Sequence, residues 1–208
     1  GTAYAASYAD FLADSSRPFA TPAPQIYTLD DRDSSLDAEL RFLTADNGGP
    51  LKAVAGVSYF EENVHFHDRY LPVRDFALIL AAIGQDGSFE HHTKQETKSR
   101  AGFAELIWAP VDTVELTTDL RYTSDRKDID STQSATGFYS VLPNITVDSA
   151  KTFDNWSPGI TLAYRPDDDL TVFAKYVRGF RAGGFNTLVY NPALLPYDSE
   201  EAENYEVG

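Results

Sequence analysis

Apolar and polar side chains alternate with a period of two along much of this chain, the spacing that turns one face of an extended backbone toward oil and the other toward water. Between Val114 and Thr123 one face carries Val114, Leu116, Thr118, Leu120 and Tyr122, and the other Glu115, Thr117, Asp119 and Arg121. The alternation returns as Leu36, Ala38, Leu40 and Phe42 against Asp37, Glu39 and Arg41, and as Trp156, Ile160, Leu162 and Tyr164 against Ser157, Thr161 and Arg165. From Leu170 to Arg178 it is less clean, because Phe173 and Val177 stand among the polar set. The pattern predicts seven strands and the start of an eighth, over roughly 3–12, 33–45, 51–66, 96–109, 113–127, 152–165, 170–186 and 200–208.

Short and long connections alternate between them. Compact turns are expected at Asp46 to Pro50, Ala109 to Asp112 and Pro166 to Asp169, where Asp, Asn, Gly and Pro supply the backbone angles that turns require. Longer polar stretches, roughly 13–32, 67–95, 128–151 and 187–199, read as surface loops. Strands of about ten residues, short turns at one end and long loops at the other match the layout of an outer-membrane β-barrel. Trp108, Trp156, Tyr122 and Tyr164 would then lie in its interfacial girdles. A soluble antiparallel sandwich alternates in the same way, and periodicity leaves the two open. They part over Leu116, Leu120, Leu162 and Tyr164, which a barrel turns toward lipid and a sandwich buries in protein.

Composition narrows the classes. With 42% hydrophobic and 24% charged residues in 208, the chain is folded rather than a disordered tail. A formal charge of −15 repels phosphate backbones, which disfavours a nucleic-acid partner. No cysteine is present, so no disulfide, thiolate nucleophile or Cys-based zinc site is expected. The longest strictly apolar run, Phe76 to Ile83, has eight residues, well short of the ~20 of a membrane-spanning helix. The start lacks a signal-peptide pattern and the last residues stop inside a predicted strand, so a segment of a longer protein is expected.

Several segments carry a family resemblance. Tyr176-Val177-Arg178-Gly179-Phe180-Arg181-Ala182-Gly183-Gly184-Phe185-Asn186 resembles the Y-x-R-G-F-R-x-G-G-F-N segment of TonB-dependent outer-membrane receptors. Tyr197 to Gly208 resembles the family's following Y-x-P-E-x-x-x-x-Y-E-V-G, with Ser199 where proline is usual. Ala38 to Phe42 is similar to its Q-E-L-R-L strand, and Ala53 to Phe60 to the next, V-A-G-x-x-Y-F; Thr118 to Lys127 and Phe153 to Ile160 continue the order. The resemblance implies an all-β antiparallel meander, part of a transmembrane barrel of about twenty-two strands, with short periplasmic turns and long extracellular loops. It implies active import of a scarce solute, most readily a ferric siderophore or similar metal complex, with outer-membrane lipid around the barrel and no enzymatic activity. Energy would come through TonB acting on a plug domain. Neither a plug nor a TonB-box-like peptide is recognised in the sequence, so residues 1–208 are expected to be a partial barrel domain. The alternative from another class is a soluble sandwich binding carbohydrate on exposed Tyr and Trp.

Candidate chemistry is sparse. His65 and His67, two apart, share a face in a strand and could ligate a metal or contact a haem-like ligand at the barrel mouth; incidental histidines of a polar loop, with His91 and His92 at its far end, are the plainer reading. Arg178 and Arg181 flank Gly179 and Phe180, where a guanidinium could hold an anionic ligand, or pair with Glu203 and Glu206 of the next strand. With Asn186 of the same motif, these are the candidate ligand contacts. The acidic clusters lack EF-hand spacing and read as solvated loops, so no metal is assigned. No nucleophile elbow, H-E-x-x-H or phosphate-cradling loop occurs, and no cofactor is expected.

Overall fold

The computed structural model describes residues 2–4, 25–44, 48–72, 74–82, 84, 86–186 and 196–208. The alternating segments form β1 (Thr2–Tyr4), β2 (Gln25–Leu43), β3 (Leu51–Pro72), β4 (Phe89–Val111), β5 (Val114–Ala135), β6 (Ile145–Asp167), β7 (Leu170–Arg181) and β10 (Glu200–Val207). These make one eight-stranded antiparallel sheet in sequence order, with a small hairpin, β8 (Gly184–Phe185) and β9 (Pro196–Tyr197), inserted before β10. The all-β antiparallel meander that the family resemblance implies is therefore the fold observed. The apolar run Phe76 to Ile83 falls largely in a short helix, α1 (Arg74–Ala82), within the β3 to β4 connection.

Directly paired residues share a face of a sheet, so the register assigns side chains to one side or the other. The row Leu51, Trp108, Leu116, Leu162, Ala174, Val207 runs unbroken across six strands, and Ala53, Leu106, Thr118, Ile160, Tyr176, Tyr205 lies directly beside it. On β3, β5 and β6 the apolar stretch of this outer face covers 51–59, 114–122 and 156–164, nine residues each. Nine strand residues span about 30 Å, or roughly 23 Å in height at a barrel strand's tilt, which matches the apolar band of an outer-membrane barrel. Tyr59, Tyr122, Trp156, Tyr176 and Tyr205 edge the band on one side; Trp108 and Tyr164 edge it on the other. Leu120, Leu162 and Tyr164 are 43–49% exposed, and among the described residues no second sheet lies over them. A sandwich core would have buried them.

The inner face is polar at the level of the band, with Glu39, Arg41, Lys52, Glu105, Asp119 and Arg121. Phe103 sits there between two guanidiniums, Arg41 at 5.9 Å and Arg121 at 5.8 Å from its ring centre. Gly56 makes room for it, since a Cβ at that position would lie 2.5 Å from Phe103 Cζ. Farther from the short turns, the inner face becomes the buried one, with Asp68, Phe89, His91, Thr93, Ile129, Ser131, Ala135 and Phe153 all under 9% exposed.

The strands run farther than the hydrophobic pattern foretells. β2 begins at Gln25 rather than 33, β3 continues to Pro72 rather than 66, β4 begins at Phe89 rather than 96, β5 reaches Ala135 rather than 127, and β6 starts at Ile145 rather than 152. The expected loop 67–95 shrinks to the connection around α1, and 128–151 to the stretch around a 3-10 turn (Gly137–Tyr139). In these extensions both faces carry polar residues, so the alternation fades while the backbone ladder continues. Loop 13–32 and loop 187–199 fall partly outside the described residues, as does most of the strand expected at 3–12. Tight turns at 112–113 and 168–169 close the hairpins at the far ends of the expected turns, Asp46 and Asn47 of the first expected turn lie outside the described residues, and Gly48 holds φ +72, a left-handed angle that glycine adopts without strain.

Candidate functional site at the long-loop end

Beyond the apolar band the inner face becomes a wall of aromatic and hydrogen-bonded side chains. Tyr27, Tyr70 and Phe89 come from three adjacent strands, with ring centres 4.8 and 5.6 Å apart. The β5 to β6 connection folds onto this group: Tyr139 is buried with Phe89 and Ala135, and Phe138 and Leu142 pack around them. Burial pushes the Tyr139 phenol up to about 12. Asn144 is occupied structurally, its Oδ1 accepting the Ala135 N–H at 2.7 Å.

Below this cluster a polar chain crosses four strands. Tyr27 donates to Asp68 Oδ1 at 2.9 Å, and Asp68 Oδ2 faces His91 Nδ1 at 3.4 Å. His91 Nε2 lies 3.0 Å from Ser131 Oγ and 2.9 Å from Thr93 Oγ1, which are themselves 2.8 Å apart. Burial and then the bond to Asp68 push Tyr27 up to about 12. The Asp, His, Ser order matches a catalytic triad, but Ser131 is 5% exposed and shares its hydrogen bonds with both Thr93 and His91. The chain works as a cross-strand staple, satisfying polar groups that one another's burial would otherwise leave unpaired.

The third part is the segment after β7. The β6 to β7 ladder ends at the Gly159 and Val177 pair, beside Pro158, which has no N–H to give. Past that point the chain turns over the inner face, where Phe185 is buried against Ile129 and Val147. Gly183 permits this approach, because a Cβ would meet Phe153 Cε1 at 2.6 Å and collide with the Tyr197 carbonyl. Lys151 donates to Asp198 at 2.7 Å and holds its other end, and that hydrogen bond, with the attraction of the ammonium, keeps the Asp198 carboxyl below its usual range.

The candidate ligand contacts fall into two groups four strands apart. Arg178 pairs with Glu201, whose Oε1 also accepts from Asn155 at 2.8 Å, and Arg181 lies 3.8 Å from Glu200 with both side chains open to solvent. The acidic partners come from β10 as expected: Glu203 stands directly opposite Arg178, whose ion pair goes to Glu201 on the same face, and Arg181 stands opposite Glu200 rather than Glu206. Asn186 is exposed immediately after Phe185. His65 and His67 share a face as their spacing predicts, and the register places that face outside, continuous with the apolar band. His91, their sequence neighbour in composition, points the opposite way. The sequence gives no means of pairing His67 with His92, because the pairing depends on how much of residues 67–95 is strand.

The profile of the family described as TonB dependent receptor-like, beta-barrel, matches residues 1–208, and the chain belongs to that family. Among solved structures, the ferric yersiniabactin uptake receptor FyuA from Yersinia pestis has a similar fold, with a TM-score of 0.73 at 17% identity over 88% of this chain. The chain corresponds to 27% of the length of that receptor chain.

Proposed function

We propose that residues 1–208 are part of the barrel domain of an outer-membrane importer that takes up a scarce solute, most readily a ferric siderophore or similar metal complex. The observation that carries this is the two-faced sheet: an apolar band nine residues tall, edged by Tyr and Trp, on one side, and a charged wall on the other. A wall of that kind suits a polar lumen, and the band suits lipid. The siderophore reading draws on the fold shared with a receptor named for ferric yersiniabactin uptake. In it, the solute meets the long-loop end of the inner face, where Arg181 and Asn186 stand exposed beside the Arg178 and Glu201 pair. A plug domain carried elsewhere in the protein couples the barrel to the TonB complex. No reaction is catalysed: the barrel binds, orients and releases.

The test is uptake by cells. Iron-starved Gram-negative cells lacking their own siderophore receptors should accumulate radioactive iron from one of a panel of ferric siderophores when they carry the full-length receptor. Accumulation should cease when TonB is deleted. Uptake that persists without TonB, or a correctly inserted receptor that takes up none of the panel, overturns the proposal.

A further inference from the structure

His67 of β3 and His92 of β4 are direct cross-strand partners on the outer face, beyond the apolar band. Their rings stack with centres 3.8 Å apart and planes 21° from parallel. Glu90, two residues before His92, shares that face by strand periodicity. One ligand atom from each of His67, Glu90 and His92 lies within 4.8 Å of the other two. Ligands about 2.1 Å from a tetrahedral zinc ion are about 3.4 Å apart, so the group would have to draw in by up to about 1.4 Å to hold one.

Two further details favour an ion over a chance cluster. His67 Nε2 is buried without a hydrogen-bond partner among the described residues, the condition that metal coordination would relieve. Glu90 is already oriented: its Oε1 lies 2.9 Å from Arg69 Nε and accepts from Ser88 Oγ at 3.3 Å, while Oε2 faces His92 Nε2 at 3.8 Å. An outer-shell hold of this kind fixes a ligating carboxylate before the ion arrives.

We propose that His67, His92 and Glu90 form a site for a divalent transition-metal ion of the zinc class, with its fourth position open to water. Two imidazoles and one carboxylate suit that class. Calcium and magnesium require more oxygen ligands than this group offers. Arg69, Arg32 and Lys94 lie around the site and weaken it, while Asp30 offsets part of their charge. Because the site is on the outer face, it is separate from the path proposed for the solute, and the ion ties β3 to β4 at the rim. Ion binding itself does not rest on the transport reading.

The experiment uses untagged full-length receptor in detergent micelles, stripped with chelator, titrated with Co2+ and followed by its visible absorption, then competed with Zn2+. One ion should bind per chain at these residues. His67→Gln and His92→Gln should each weaken it at least tenfold, while His65→Gln, on the same face but outside the ligand set, should leave it unchanged. Zn2+ should raise the thermal midpoint of the wild type but not of the two ligand variants, whose metal-free midpoints should equal that of the metal-free wild type. The proposal fails if no stoichiometric ion binds, if binding survives in the doubly substituted His67→Gln, His92→Gln protein, or if His65→Gln loses as much affinity as His67→Gln.

Discussion

At the scale of single residues, the segment after β7 depends on a few contacts that titrate or collide. Lys151 lowers the folded-state pKa of Asp198, so this contact contributes stability that is present above the ordinary carboxylate pKa of about 4 and is lost as pH falls through the lower folded value. Asp198 is exposed, and the effect belongs to local anchoring rather than to the whole fold. The cysteine-free sequence allows a single spin label at Asn186→Cys. Its mobility should stay low from neutral pH to about pH 4 and rise in stronger acid, whereas Asp198→Asn should give the mobile spectrum already at neutral pH. Equal spectra for the two proteins at neutral pH would show that the Lys151 contact does not anchor this segment. Arg178 shows how much at this scale was legible: the motif suggested an acidic partner on the next strand, and the register stands Glu203 opposite it, but the ion pair goes diagonally to Glu201, a choice of side-chain conformation that spacing does not specify.

At the scale of elements, the nine-residue apolar stretches were legible because lipid on one side and a charged lumen on the other impose period-two alternation. Their ends were not, because the extensions beyond the band have polar residues on both faces. Lys94 on the outer face and Thr93 on the inner illustrate this: neither tells a reader which way the strand faces. The difference between faces is measurable. Leu120→Arg, within the band on β5 between its centre and its Tyr122 edge, should destabilise the barrel by about 1–3 kcal/mol in lipid, between the midplane and interface costs. Thr117→Arg on the same strand, facing the lumen between Glu115 and Asp119, should cost much less. Reversible denaturant unfolding from bilayers reads both, and equal costs would contradict the assignment of faces.

At the scale of the whole molecule, the apolar band is too large and continuous to remain in water. The 208-residue segment prepared alone should therefore sediment as a defined, strand-rich species only with micelles, and should aggregate or lose strand circular dichroism in plain buffer. A compact strand-rich monomer in buffer would mean that the band has found cover within the segment. Among the described residues β1 and β10 have outer edges without a partner strand, which points the same way, since backbone N–H and C=O groups left open toward hydrocarbon are costly.

What the sequence determined by itself is the all-β class and which side chains share the apolar face of each strand, both of which depend on local alternation; the meander order and the lipid-facing reading came from the family resemblance of its motifs. The tertiary structure decided which residues stand opposite one another. His67 meets His92 and Glu90, Tyr27 meets Asp68, and Phe185 meets Ile129 across separations of 23 to 56 residues. Such meetings depend on register accumulated along whole ladders, and shifting a strand by one residue would send every one of these side chains to the other face.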